Sequence, residues 1–390
     1  MPRLSKPGGF LARIFLLQFS DDSGSAAQSL VFVKEPKGLE KWIMQDAKFR
    51  LNVLNPRGRD LEQHFDGAAN GAGHAPVNFH AYAACTGGSF FRDVTRAVGA
   101  RLPVLLLLRG DFRDSERALN FLKKAGMTVA VSLKETGLHQ IANQMVESSK
   151  LSRFLRIVAQ ADGCIAPTPE AADFYRTIKG KDSAVAFVPT PYPVHDKTWQ
   201  LSRPIEERRG ILVGTREWEI PSRNHLAALT AARQIGAACG EPVAVFNLDG
   251  RKGERLLSHL GFSPDQLRVR KRAPVYSDYL RVVGEHKIIF QLDTSFVPGQ
   301  VAGDALLCGI PCVGGNGAID RIGFPELCGA GRSIAELVAI AVKLMQDATF
   351  YRAAVTASQD RAAEHLSFSK VAKELEDFVA GLERAALSAR

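Results

Sequence analysis

The sequence lacks an uninterrupted apolar run of about 18 or more residues, the length that a membrane-spanning helix needs. Its longest strong apolar run, at residues 102–108, has the length of a buried strand. Basic residues precede an apolar run at the N-terminus, but Arg13 interrupts that run and no small-residue cleavage site follows. We therefore expect neither a spanning helix nor a signal peptide. We place the chain in the cytoplasm, with peripheral contact at the inner membrane face as an alternative.

Cysteine is scarce as well, with six residues in 390 and neither a CxxC pair nor the dense spacing of a disulfide framework. This usage indicates a reducing compartment. Cys308 and Cys312 are four residues apart, but Pro311 lies between them and no histidine is near. We interpret both as small buried hydrophobic residues and predict no metal site.

The sequence also lacks zinc-finger spacing, an aromatic RNA-binding motif and a continuous basic helix, so we predict no nucleic-acid partner. It is nevertheless basic, with a net charge of +9. Residues 1–195 carry 25 Lys and Arg against 18 Asp and Glu, whereas residues 196–390 carry 25 against 23. The first half could therefore face phospholipid head groups or an acidic acceptor. Scattered solvated charges explain the same excess at least as well.

At 390 residues the chain exceeds what one hydrophobic core organises, so we expect two domains. Strand and helix patterns alternate along it, which is typical of parallel sheets covered on both faces. We predict an α/β protein with two Rossmann-like domains, at residues 1–195 and 196–365. A terminal helix at 366–390 packs back across them. Three prolines within residues 189–193 indicate the linker.

Several predicted elements of the first domain bear on its site. Residues 13–19 form a first strand, and the loop that follows ends at Ser25, where open α/β sheets carry ligand loops. Residues 77–82 are predicted as a strand and residues 89–100 and 138–159 as helices. His80 lies in that strand, and we favour a buried, hydrogen-bonded histidine over an acceptor-binding one.

Lys134 and Glu135 follow the predicted strand at 127–133, the best placed strand end for acceptor binding. A carboxylate there could orient or deprotonate an acceptor hydroxyl. The alternative is that Glu135 caps the helix that begins near Leu138. Both interpretations stay open.

The second domain contains a strand at 288–292, a loop broken by Pro298 and Gly299, and a helix predicted at 304–308. Free backbone N–H groups and the positive end of the helix dipole make such a loop an anion site. Asp304 is expected in the first turn of that helix, within reach of a ligand's hydroxyl groups.

Two arginines of the second domain can reach the same anion. Gly214, Thr215 and Arg216 end its first strand, and Arg223 lies at the start of the next helix. Guanidinium groups at these positions could both contact a diphosphate that lies across the strand ends. The alternative is two solvated arginines near a surface loop.

Three segments carry a resemblance to a known family: GTR at 214–216 with Arg223, DALLCGIPCVGG at 304–315, and ADGCIAPTPEAADFY with VAFVPTPY between residues 161 and 192. They resemble GT-B glycosyltransferases of the large retaining type, whose donors are nucleotide sugars. The resemblance covers roughly residues 155–345. It implies two Rossmann-like domains that face each other across a cleft, with the donor on the second and the acceptor on the first.

The resemblance also implies roles for single residues. Arg216 and Arg223 would be catalytic. The first 150 residues match the family only in rhythm, so the acceptor-side residues are predicted from their own positions: Glu135 as a catalytic carboxylate, and Ser25, His80 and Lys134 as candidate acceptor contacts. The donor would be bound by Gly214, Thr215, Asp293, Ser295, Gly299, Gln300, Val301 and Asp304, of which Asp304 would hold the ribose hydroxyls.

Phe296 departs from the family pattern, because it stands where the family has a first, sugar-binding carboxylate. Either Asp293 substitutes for that carboxylate, or the donor differs, or the activity has changed. We expect a glycosyltransferase that moves a sugar to a carbohydrate, lipid-linked or other hydroxyl acceptor, with retention and without a metal or cofactor. The alternatives are a non-catalytic protein that binds a sugar or a partner, and a sugar-nucleotide epimerase.

Overall fold

The computed structural model describes residues 49–65, 75–180, 182–214, 218, 220–272 and 274–388. The predicted strand at 13–19, the loop with Ser25, and the strand-end residues Thr215 and Arg216 lie outside the described residues. Within the described part of the chain the strands form two sheets, one of seven strands and one of five.

The first sheet has seven strands in the order β2-β3-β1-β4-β5-β6-β7, all parallel except β2, which is antiparallel to β3. Its central strands are buried along their whole length because helices cover both faces of a parallel sheet. The strands are β1 (Asn52–Leu54), β2 (Gln63–His64), β3 (Ser89–Phe91), β4 (Val104–Leu108), β5 (Val129–Leu133), β6 (Gly163–Ala166) and β7 (Val185–Phe187).

The helices of this half correct three predictions. Residues 77–82 are not a strand, since α1 begins at Phe79, and residues 89–100 begin with β3 before α2. Residues 138–159 form two helices rather than one. The segment around α1 is buried on nearly every side, so it shows neither periodicity, and a short apolar run of this kind is ambiguous between strand and helix. The helices are α1 (Phe79–Thr86), α2 (Val94–Gly99), α3 (Arg113–Lys124), α4 (Leu138–Gln144), α5 (Ser148–Gln160) and α6 (Pro169–Lys179).

The second sheet has five parallel strands in the order β10-β9-β8-β11-β12. After β8 the chain adds β9 and β10 on one side of that strand, and it then adds β11 and β12 on the other side. The strand order therefore reverses between β8 and β11, and open α/β sheets bind ligands beyond the carboxyl ends of strands at such a point. The strands are β8 (Ile211–Val213), β9 (Val243–Phe246), β10 (Leu267–Arg270), β11 (Ile288–Phe290) and β12 (Cys312–Val313).

The last helix of the chain packs on the first half. Val371, Leu375 and Val379 of α14 are buried in one hydrophobic core with β1, β3 and β4, and α14 contacts α1. The two sheets lie on either side of residue 195, while the domain limits at 195 and 365 stay predictions. The remaining helices are α7 (His225–Cys239), α8 (Arg251–Ser258), α9 (Tyr276–Gly284), α10 (Gln300–Cys308), α11 (Ala318–Gly323), α12 (Ile334–Gln346), α13 (Ala348–His365) and α14 (Phe368–Ser388).

Within the described ranges, none of the helices combines the length and the apolar character that crossing a membrane requires.

Candidate functional site

A cavity of about 560 Å³ lies between the carboxyl ends of the two sheets. Lys134 and Glu135, which follow β5, line it from the first half. Gly214 after β8 and Gln291 after β11 line it from the second half. The cavity therefore includes the point at which the strand order of the second sheet reverses, where ligands bind in folds of this type.

Most of the predicted site residues meet in this cavity. Ser295 is not among the lining residues; it is buried, and its hydroxyl is 2.7 Å from that of Ser222. Ser25, Thr215 and Arg216 are outside the described residues. The predicted residues that line the cavity are His80, Lys134, Glu135, Gly214, Arg223, Asp293, Gly299, Gln300, Val301 and Asp304.

The N-terminus of α10 faces the cavity. Gly299 precedes the helix with φ of 93°, a conformation that favours glycine, and the helix begins at Gln300. The N–H groups of Gln300 and Val301 belong to the first turn, where no acceptor within the helix exists. This turn can bind an anion through its N–H groups and its dipole.

Asp304 is not in the first turn of that helix, which corrects the prediction. Because α10 begins four residues earlier than expected, Asp304 lies in its interior, and only 1% of the residue is exposed. The hydroxyl of Tyr276 donates a hydrogen bond to its carboxylate at 2.5 Å. Asp304 thus lines the cavity as a buried carboxylate, and Tyr276 is a partner that sequence reasoning missed.

Arg223 and Asp293 form an ion pair beyond the carboxyl ends of β8 and β11 in the second sheet. Arg223 ends the short 3-10 turn Pro221–Arg223 before α7, and Asp293 lies three residues after β11. Their side chains are 15% and 5% exposed. The two residues had been predicted to bind a diphosphate and a sugar separately, and the fold places them in contact with each other.

Phe296 is not among the residues that line the cavity, whereas Asp293, Val297 and Pro298 are. Its backbone has φ of 52°, and its N–H donates to the side-chain oxygen of Asn316 at 3.1 Å. The guanidinium of Arg321 lies 5.5 Å from the centre of its ring. The aromatic ring is therefore held beside α11, and Asp293 is the nearest carboxylate in sequence that reaches the cavity.

Asp320 is a cavity residue that sequence reasoning missed. It is buried in α11, and the side-chain amide of Gln291 donates to its Oδ1 at 2.9 Å. Burial and the negative charge of Asp293 raise the pKa of Asp320 to about 7. The signal available in the sequence was an acidic residue within an otherwise apolar and glycine-rich segment directly after β12.

On the first half, Lys134 forms an ion pair with Asp60, another lining residue that was not predicted. Burial acts to raise the pKa of Asp60, but the hydrogen bond and charge of Lys134 outweigh it and lower the pKa overall. Glu135 is exposed, and Gly137 is the N-cap of α4, with the side chain of Gln140 accepting its N–H at 3.0 Å. The N–H of the N-cap residue Gly137 therefore has an acceptor other than the carboxylate of Glu135.

His80 lies on α1 and not on a strand, as noted above. Its ring stacks on that of Phe90 at 3.7 Å between centroids, and its Nε2 is 2.8 Å from the carbonyl of Leu61. This is the buried, hydrogen-bonded histidine that the sequence favoured. In the part of the chain that the structure describes, no group of three or more His, Cys, Asp or Glu residues is arranged to hold a metal ion.

Side-chain contacts connect the two halves, one of them at the cavity wall. The amide of Asn78 donates to the side chain of Gln300 at 3.2 Å. Arg321 of α11 makes a two-pronged ion pair with Glu170 of α6, at 2.7 and 2.9 Å. The two halves are therefore in direct contact through these side chains.

No protein-family model matches the chain, and no curated protein matches it either. Its two α/β units, each built on a mainly parallel sheet, lie on either side of a cleft and form the GT-B fold. The solved structures that it resembles include GT-B glycosyltransferases. The expected fold is thus confirmed.

One such structure is HepE of Anabaena with UDP and glucose, which is 12% identical over 85% of this chain and 99% of that one, with a TM-score of 0.56. HepE with UDP-glucose gives 11% identity, 74% and 81% coverage, and a TM-score of 0.54. An α-glucosyltransferase bound to UDP and a 13-mer DNA gives 12% identity, 85% and 100% coverage, and a TM-score of 0.55. Likeness at this identity shows the shared fold.

Proposed function

We propose that this protein is a glycosyltransferase that moves a sugar from a nucleotide-diphosphate sugar to an acceptor hydroxyl. The observation that carries the proposal is the meeting of Arg223 and the first turn of α10 at the point where the strand order of the second sheet reverses. A guanidinium and free N–H groups at one point suit a diphosphate. The complexes of the structural neighbours with UDP and UDP-glucose support a uridine nucleotide as the donor.

The donor would contact three parts of the second half. The N–H groups of Gly299, Gln300 and Val301 would donate hydrogen bonds to a phosphate, and the guanidinium of Arg223 would donate to the diphosphate as well. Asp304, oriented by the hydrogen bond from Tyr276, would accept the ribose hydroxyls. The roles predicted for Thr215 and Arg216 belong to the same proposal.

Asp293 would take the sugar-binding part that the family gives to its first carboxylate. In the structure its charge is compensated by Arg223. A diphosphate that draws the guanidinium toward itself would leave the carboxylate of Asp293 able to accept hydrogen bonds from sugar hydroxyls. Donor binding would thus exchange one ion pair for two ligand contacts.

The chemistry follows from where charge develops. The bond between the anomeric carbon and the phosphate oxygen breaks, and the diphosphate leaves with additional negative charge. Arg223 and the α10 amides would interact more strongly with that charge in the transition state than with the intact donor. The acceptor oxygen bonds to the anomeric carbon while its proton passes to a phosphate oxygen or to Glu135. We propose retention and no metal for this step.

Nucleotide binding tests the proposal directly. Isothermal titration with UDP, GDP and ADP should show binding to at least one of them. Arg223→Ala and Asp304→Ala should each weaken it by about 10- to 100-fold, the effect of losing a charge-assisted hydrogen bond. Arg153→Ala, which removes an ion-paired arginine of similar exposure on α5, is the matched control and should bind as the wild type does. Binding of none of the three nucleotides would refute the assignment.

A non-catalytic sugar-binding protein is the second candidate, favoured by Phe296 at the position where the resemblance expects a carboxylate. Incubation of UDP-glucose with and without carbohydrate acceptors, followed by product analysis, separates the candidates. Transfer to an acceptor supports the first proposal. Donor affinity without release of sugar supports the second, and release or inversion without an acceptor indicates hydrolysis or epimerisation.

A further inference from the structure

The carboxyl group of Asp320 is enclosed by glycine backbone. A Cβ atom added at Gly299 would lie 2.8 Å from its Oδ2, and one added at Gly317 would lie 2.7 Å from the same oxygen. A Cβ at Gly315 would overlap Oδ1. Contacts this short do not occur between real side chains, so each of these positions requires glycine in order to fit around Asp320.

This enclosure connects Asp320 to both parts of the proposed phosphate site. Gln291, which donates to Oδ1, lies at the end of β11 on the cavity wall. Gly299, which packs against Oδ2, is the residue before α10. The carboxyl group therefore lies between the strand end and the helix start, the two elements that would hold the diphosphate.

Backbone hydrogen bonds also connect the segment around Asp320 to the loop before α10. The N–H of Ala318 donates to the carbonyl of Val297 at 2.9 Å, and that of Ile319 to Pro298 at 3.0 Å. A displacement of Asp320 would therefore move the loop itself and the first N–H groups of α10.

We propose that Asp320 is a positioning residue for the anion-binding end of α10, acting through Gln291 and Gly299. The inference rests on the proposed function, because it concerns the same phosphate site. Asp320 does not contact the diphosphate; it fixes the backbone groups that do.

The charge of Asp320 gives this role a measurable signature. The cavity lining within the described residues already has more acidic than basic side chains. A carboxylate behind Gly299 would add a negative charge beside the diphosphate, whereas the protonated acid adds none. Burial and Asp293 hold the pKa of Asp320 at about 7, so the change falls in the physiological range.

Other charged or titratable groups near Asp320 come from each element around it. Asp293 faces it from the segment after β11 and is itself paired with Arg223, while Cys312 faces it from β12. Tyr192 of the linker is close enough for its pKa to be raised by burial and by the charges of Asp304 and Asp320. Beyond these, Arg321 is paired with Glu170 and Arg361 with Glu326.

The test measures UDP affinity by isothermal titration between pH 5.5 and 8.5 for the wild type, Asp320→Asn and Asp320→Ala. The amide keeps the acceptor for Gln291 and cannot ionise. We expect Asp320→Asn to bind UDP as the wild type does at pH 6, and the wild type to bind about tenfold more weakly than Asp320→Asn at pH 8. Asp320→Ala, which lacks both the charge and the acceptor for Gln291, should bind UDP about tenfold more weakly than Asp320→Asn at every pH. Ionisation of UDP itself affects all variants equally and cancels in the ratios.

Asp173→Asn, an exposed position on α6, is the matched control and should follow the wild type at every pH. A constant ratio between wild type and Asp320→Asn across the pH range, with UDP bound, would overturn this inference and leave the proposed function standing. Failure of the wild type to bind UDP, GDP and ADP at any pH would overturn both. If Asp320→Ala does not fold, the ratio between wild type and Asp320→Asn decides alone.

Discussion

Replacement of Asp320 by asparagine should change how the stability of the folded protein depends on pH, independently of any ligand. The two side chains have nearly the same shape, and both offer an oxygen to the amide of Gln291. They differ in that the aspartate can ionise. The substitution therefore isolates the cost of an ionisable group at a buried position.

The magnitude follows from the pKa of Asp320, which burial and Asp293 raise from 3.8 to about 7. Between these two values the native state holds a proton that the unfolded state has released. The free energy of unfolding therefore falls as pH rises through this window and is level above pH 7. A difference of about three pH units corresponds to about 4 kcal/mol. Asp320→Asn should gain that much relative to the wild type between pH 4 and pH 7.

Thermal unfolding followed by circular dichroism in steps from pH 4 to pH 8 measures this difference. For a chain of this length about 4 kcal/mol corresponds to a shift of about 5 °C in the midpoint. All other titrating groups contribute to both proteins and cancel. Asp173→Asn, which changes an exposed carboxylate, should show no such trend. A midpoint difference that stays constant from pH 4 to pH 8 would show that the pKa of Asp320 is not raised.

Two further predictions concern packing around the cleft. Arg321→Ala should remove the ion pair with Glu170 that joins the halves. The free energy of unfolding should fall by about 1 kcal/mol, because both side chains are partly exposed. A double-mutant cycle with Glu170→Ala, measured by chemical denaturation, should show coupling between the two residues, and additive losses of stability would contradict the prediction. Gly303→Ala should cost about 1–3 kcal/mol because the new methyl group would overlap the ring of Tyr192. Gly381→Ala, where the nearest such atom is 4.0 Å away, should instead stabilise α14 by up to about 1 kcal/mol, and equal effects of the two changes would refute the packing argument.

Much of the fold could be predicted because its strands are short apolar runs bounded by glycine and proline. Residues 104–108 and 129–133 are strands as expected, since a parallel sheet buries both faces and selects continuous apolar sequence. The segment around α1 was predicted wrongly for the same reason, because a helix buried on all sides has no polar face to give it a period.

The candidate site could be predicted where a backbone feature has a local signal. Gly299 and the apolar run after it indicated a loop and a helix start, and Arg223 was recognised as a basic residue at the start of the helix that follows β8. The start of α10 was predicted four residues too late, because Gln300 is polar and gave no sign that the helix begins there. No local signal connects Arg223 with Asp293 or Lys134 with Asp60, since each pair is about 70 residues apart in the chain.

The sequence alone determined the alternation of strand and helix, the glycine loop before α10 and the arginine at the start of α7, because each depends on neighbours within about ten residues. The tertiary structure alone decided the charge state and contacts of the site. Asp320 has its raised pKa because the fold buries it and brings it close to Asp293, and α9 supplies the hydroxyl of Tyr276 that donates a hydrogen bond to Asp304. Burial and pairing between distant segments are properties of the folded chain, and they set what a local motif can do.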